Sequence, residues 1–70
     1  MDQQFTTIEL LNEGDVARMF RRSKQTIALW RKHERLPYVL IKGEGRDTIR
    51  YDRAKIAIWA KQHGKRLYLS

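Results

Sequence analysis

The sequence predicts a mostly α-helical fold carrying a small β-hairpin, and three observations predict it. Two short amphipathic stretches, about 13–20 and 24–35, are separated by only two or three residues. Two β-branched and aromatic runs, at 38–41 and 48–51, flank a loop containing two glycines. A third amphipathic stretch follows Asp52, a residue suited to capping a helix. Seventy residues make one small domain, and a chain this short buries a modest fraction of its surface. Two Trp, two Phe and three Tyr supply large buried areas per residue.

In chain order, residues 1–9 are polar with Phe5 and Ile8 spaced apart, and read as a flexible arm. Leu10 and Leu11 begin the packed domain, which runs over 10–64. Asn12 caps a first helix from about Glu13 to Phe20, with Glu13 and Asp15 placed favourably for the helix dipole. Val16, Ala17 and Phe20 form its apolar stripe. Arg21-Arg22 make a short link, and Ser23 caps a second helix that ends around Arg35, where Leu36-Pro37 disfavours helical geometry. Ile27 and Trp30 face a core; Lys24, Gln25, Ala28, Arg31 and Lys32 fall mostly on the other faces. So short a link turns the second helix sharply against the first, a helix-turn-helix. Tyr38–Ile41 and Thr48–Tyr51 then pair as a hairpin with a basic tip, a wing, whose Gly43 and Gly45 are free to take positive φ. An isolated hairpin is barely stable, so Ile49 or its neighbours must pack on the helices. Tyr38 and Tyr51 flank the wing and are expected half-buried. After Asp52, Ile56, Trp59 and Ala60 repeat the seam of the second helix, and Gly64 ends the third. The basic tail 65–70 is a frayed end, a short strand or a contact segment.

Charge narrows the function. The net charge is +7, and it is segregated. Residues 1–20 hold Asp2, Glu9, Glu13 and Asp15 against Arg18 alone, a balance of −3; residues 21–70 hold fourteen basic and four acidic residues, a balance of +10. A basic surface on a small domain favours a polyanion, most often nucleic acid. With no cysteine, no disulfide or thiolate metal site supports the fold. No long apolar run and no signal-peptide pattern occurs, so a cytoplasmic protein is expected, with no membrane partner. His33 and His63 stand thirty residues apart without further ligands at metal-binding spacing, and both read as surface residues near helix ends. No nucleophile triad, carboxylate pair or phosphate-cradling glycine loop is recognisable. The expectation is a non-enzyme without a cofactor.

Five pieces in order resemble a known family: Leu-Leu-Asn-Glu-Gly-Asp-Val-Ala at 10–17, Ser-Lys-Gln-Thr-Ile-Ala-Leu-Trp at 23–30, Arg-Leu-Pro at 35–37, Arg-Tyr at 50–51 and Ile-Ala-Ile-Trp at 56–59. Together they look like the excisionase group of MerR-like winged-helix proteins, over about residues 10–62. The resemblance implies a winged helix whose second helix enters the major groove while the wing touches an adjacent minor groove or backbone. It implies a phage or mobile-element directionality factor that binds repeated sites cooperatively, bends DNA and steers a site-specific integrase toward excision. Other members of the group are small transcription regulators. By position, Lys24, Gln25 and Thr26 match the groove-facing start of the second helix, Arg31 a basic position further along it, and Gly43–Arg46, Gly45 included, the wing tip. Arg21-Arg22 depart from the pattern, which commonly has Gly and a small apolar residue in that turn. Positive φ there strains a non-glycine residue by about 1 kcal/mol, so either the turn differs or phosphate contact offsets the strain. Glu44 and Asp47 also make this wing less basic than it could be.

The candidate contacts divide by chemistry. Gln25 suits adenine N6 and N7, and Lys24 or Arg31 suits guanine. Thr26 suits a phosphate or a thymine methyl, or bonds back within its helix, and Ser23 stands at the same helix start. Arg21, Arg22, Lys42, Arg46 and Arg50 are phosphate candidates. Trp30 and Trp59 are placed in the core by their helical spacing with Ile27 and Ile56, instead of stacking on bases. The acidic first helix is expected to face away from DNA, and the acidic arm and first helix to meet the basic wing or tail of a neighbouring copy in self-association on DNA. Two rivals remain: a protein-interaction adaptor docking through Leu67, Tyr68 and Leu69, and an RNA binder, which would want an exposed aromatic sheet that the sequence lacks.

Overall fold

In the computed structural model, which describes residues 10–68, the order is β1 (Leu10–Leu11), α1 (Glu13–Phe20), α2 (Lys24–His33), β2 (Val39–Ile41), β3 (Thr48–Asp52) and α3 (Arg53–Gln62). Three helices pack with a three-stranded antiparallel sheet of order β1-β3-β2. The expected arm at 1–9 lies outside the described residues, as do 69 and 70.

The helix starts follow from local side chains. Asn12 Oδ1 accepts the Asp15 N–H at 2.8 Å, and Asp15 Oδ2 accepts the Asn12 N–H at 3.1 Å, a reciprocal capping box. Ser23 Oγ accepts the Thr26 N–H at 3.2 Å. Asp52 Oδ1 accepts the Ala54 and Lys55 N–H groups at 2.9 and 3.4 Å, so one residue closes β3 and caps α3.

The helix ends are less conventional. Arg21 takes the left-handed conformation at φ 54, and the Arg22 N–H reaches the Ala17 carbonyl at 2.9 Å. The tight glycine-type turn is therefore kept, with arginine in the strained position. α2 stops at His33, two residues short of the expected end. Arg35, at φ 59, ends it: the Trp30 carbonyl accepts both the Glu34 and Leu36 N–H groups, at 2.8 and 3.2 Å. The break comes before Pro37 is reached, and it turns Leu36 into the core.

The sheet holds one strand more than the hairpin predicted. Leu10 pairs with Asp52 and Leu11 with Tyr51; two residues are too few to display a period-two pattern. Val39, Leu40 and Ile41 pair with Arg50, Ile49 and Thr48. Directly paired residues share a face, so Leu11, Tyr51, Ile49 and Leu40 stand on one face; the first three pack in or against the core, while Leu40 lies beyond it and is exposed. Tyr51 is fully buried, which corrects the half-buried expectation; Tyr38 is half-exposed. Ile49 packs against the core as expected. At the hairpin tip only Gly45 has positive φ, at 91°. Gly43 answers a different constraint: a Cβ there would lie 2.6 Å from the Arg46 carbonyl oxygen.

The core unites the three helical seams. Val16, Ala17, Phe20, Ile27, Trp30, Ile56, Trp59 and Ala60 are buried with Leu11, Leu36 and Tyr51. Phe20 meets Trp30 and Trp59 edge-on at 5.1 and 6.1 Å, a favoured aromatic geometry. Trp59 Nε1 donates to the Glu34 carbonyl at 2.9 Å. The described part of the tail belongs to this packing and is no frayed end. The Tyr68 N–H donates to the Met19 carbonyl at 2.8 Å, Leu67 packs on the core, and Lys65 lies over the Trp30 ring and 3.0 Å from Glu34.

Candidate nucleic-acid interface

Burial of Ile27 and Trp30 fixes how α2 is rotated. With that seam inward, Lys24, Gln25, Leu29 and Lys32 are exposed, and Arg21, Arg22 and Ser23 are exposed just ahead of them. The structure thus brings one cluster of candidate residues together at the start of α2. Thr26 is half-buried, and its hydroxyl lies 3.1 Å from Ser23 Oγ, so these two hydroxyls serve the cap. α2 itself carries Lys24, Arg31, Lys32 and His33 and no acidic residue.

The second cluster lies on the hairpin. Arg46 and Gly45 are exposed at its tip. Lys42 is exposed and pairs with Asp47 at 3.3 Å, an ion pair open to water, and such pairs contribute little. Arg50 is half-buried on β3, its Nη1 donating to the Ile49 carbonyl at 2.9 Å.

Arg31 departs from the set. Its side chain is 15 % exposed, and Nη1 donates to Glu13 Oε1 at 2.6 Å and to Tyr51 Oη at 2.8 Å. Tyr51 in turn donates to the same Glu13 oxygen at 3.0 Å. The closed triangle ties α2 to α1 and β3 and turns the guanidinium away from the outer face. Burial works against the charge of Arg31, but the bonds to Tyr51 and Glu13 outweigh it and hold its pKa above the ordinary value. Burial raises the Tyr51 phenol, with the bond from Arg31 pulling the other way. A sequence view of Arg31 as an outer cation missed this because its partners lie 18 and 20 residues away.

The acidic residues of α1 are likewise used within the fold. Glu13 closes the triangle, while Asp15 completes the capping box and accepts from Arg18 at 2.5 Å. Each of these carboxylates takes a cation of the same fold with it, Arg31 for Glu13 and Arg18 for Asp15, so the pairing leaves the net balance unchanged and sets Arg31 and Arg18 apart from the cations around the start of α2.

Two features escaped the sequence reading. Leu29 is 54 % exposed on α2, one turn beyond Gln25. The tail brings Arg66 beside the turn: Arg22, Lys65, Arg66 and Tyr68 line one cleft with Phe20 and Trp30, and the Arg21 guanidinium stands 4.3 Å over the Tyr68 ring. Among the described residues no three His, Asp or Glu side chains gather to hold a metal ion, and no helix is long and apolar enough to cross a membrane. No protein-family model matches the chain, and comparison with curated proteins and with solved structures found no significant match.

Proposed function

We propose that the protein is a sequence-specific double-stranded DNA-binding protein of winged helix-turn-helix type, with α2 as its recognition helix and the β2–β3 hairpin as its wing. One observation carries the reading. The first turn of α2 exposes Lys24 and Gln25 directly after Arg21 and Arg22, while its apolar seam is fully engaged in the core. Recognition helices read base edges from their first turns, and cations beside them hold the backbone. Arg46 and Lys42 at the hairpin tip supply a second backbone hold, removed from the first along the chain. Phosphate contacts of this kind place the protein without specifying sequence, which leaves discrimination to the side chains of α2.

The biological role that the family resemblance favours is that of an excisionase, binding adjacent sites cooperatively, bending them and directing an integrase. A small transcriptional regulator of the same architecture is the alternative output. The adaptor reading draws less on the tail than its sequence suggests, because Leu67 packs against the core and the Tyr68 N–H bonds to Met19, while the Tyr68 side chain is exposed and Leu69 lies outside the described residues. Competition between duplex DNA and structured RNA tests the ligand class: duplex DNA should displace a bound duplex far better than RNA does. A duplex with two adjacent selected sites then separates the roles. Cooperative occupancy with a bend supports the excisionase role, and independent occupancy without a bend supports the regulator.

A further inference from the structure

We infer that Leu29 is a specificity-determining residue that reads the C5-methyl group of a thymine, so that the preferred site carries a thymine one to two base steps from the base met by Gln25. The inference rests on the proposed DNA-binding role of α2 and adds a base and an atom to it.

The outer face of α2 runs Gln25, Ala28, Leu29, Lys32, the i, i+3, i+4, i+7 spacing of one helical side. Gln25, Leu29 and Lys32 are exposed and Ala28 is half-buried. Leu29 is no part of the core, whose seam on this helix is Ile27 and Trp30. With 54 % of its surface in water it is the most apolar feature of that face. Single exposed leucines are common on protein surfaces, but here the leucine stands between an amide and an ammonium on the side proposed to enter the groove. The major groove offers hydrogen-bond donors and acceptors at every base pair and one apolar group, the thymine methyl. Against any other base edge, Leu29 would strip water from polar atoms without replacing their hydrogen bonds. At about 1.5 Å rise per residue, its Cα lies roughly 6 Å along the axis beyond Gln25. Base pairs repeat about every 3.4 Å along the duplex. Gln25 on an adenine therefore sets Leu29 one to two base steps away, where the thymine methyl is the group its side chain fits.

The test uses the full chain and a site selected from a random duplex pool. Each thymine of that site is replaced in turn by deoxyuridine, which removes the methyl and leaves the pairing edge intact. Wild type should lose affinity at one position by on the order of fourfold, the value of one buried methyl-sized group. Leu29→Ala should bind the thymine and uracil duplexes alike at that position. Leu29→Met, which stays apolar, should keep the difference. Thermal melts of the variants should match wild type, since the side chain is outside the core. Wild type indifferent to uracil at every position overturns the inference, as does an unchanged thymine preference in Leu29→Ala. A change in the sedimentation of the free protein on Leu29→Ala, with DNA discrimination unaltered, would assign the residue to self-association and overturn it too. Failure to select any preferred site overturns the DNA-binding reading together with this one; a selected site lacking thymine dependence overturns this one alone.

Discussion

At the scale of single residues, three arginines of similar sequence appearance have three different positions. Arg46 is exposed at the hairpin tip, Arg31 is locked inward against Glu13 and Tyr51, and Arg21 holds a left-handed turn with its guanidinium over the ring of Tyr68. Arg21→Gly relieves about 1 kcal/mol of backbone strain and loses a stacking contact worth roughly 0.5–1 kcal/mol. Its thermal midpoint should stay within a few degrees of wild type while DNA affinity falls at every sequence; a melt beside a binding titration checks both. Tyr51→Phe removes a buried hydroxyl bonded to two charged groups and should cost about 1–3 kcal/mol, read as a lower urea midpoint. It should also change the pH dependence. The folded state holds the phenol pKa above its ordinary 10.0, so this contribution is complete below pH 10 and is lost as pH rises through the folded value. Urea midpoints measured upward from pH 9 should fall more steeply in wild type than in Tyr51→Phe.

At the scale of elements, the three helices were legible because their signals are local. Asn12, Ser23 and Asp52 announce the starts, and Val16–Phe20, Ile27–Trp30 and Ile56–Ala60 show which side is buried. The ends were less legible, since Arg35 ends α2 by a backbone conformation that nothing in its side chain signals. β1 escaped notice because its partner is distant and its length is two residues. Tyr51 reads as a hairpin flank and is fully buried because β3 is the central strand and this side chain enters the core, its hydroxyl bonded to Glu13 of α1 and Arg31 of α2. The hairpin tip carries a sharper expectation. Gly43→Ala sets a methyl against the Arg46 carbonyl, so the tip must shift and carry Arg46 with it. DNA affinity should drop severalfold while the helical circular dichroism of α1, α2 and α3 is retained; an unchanged affinity would show that the tip's position does not matter.

At the scale of the whole molecule, carboxylates of the helices bond to groups of the same fold, while a set of cations around the start of α2 and the hairpin tip is exposed. Glu13 and Asp15 serve the triangle and the cap, and Glu34 holds Lys65, while Arg21, Arg22, Lys24 and Arg46 face outward. The tail takes part in this frame. Removing 65–70 strips Leu67 from the core and Lys65 from Trp30; loss of one partly buried leucine is worth about 1 kcal/mol, so the truncated chain should melt several degrees lower. Which charges serve the core and which face outward depended on contacts far apart in sequence, so the candidate site was legible at the start of α2 and illegible at Arg31, Leu29 and Arg66. The most direct measurement is a salt titration of binding to a selected and to a scrambled duplex, with wild type beside Gln25→Ala and Arg46→Ala. The DNA-binding reading predicts that wild type prefers the selected duplex, that Gln25→Ala erodes the preference, and that Arg46→Ala weakens both duplexes and lowers the salt slope by about one. Equal binding of wild type to both duplexes, or none to either at moderate salt, would contradict it.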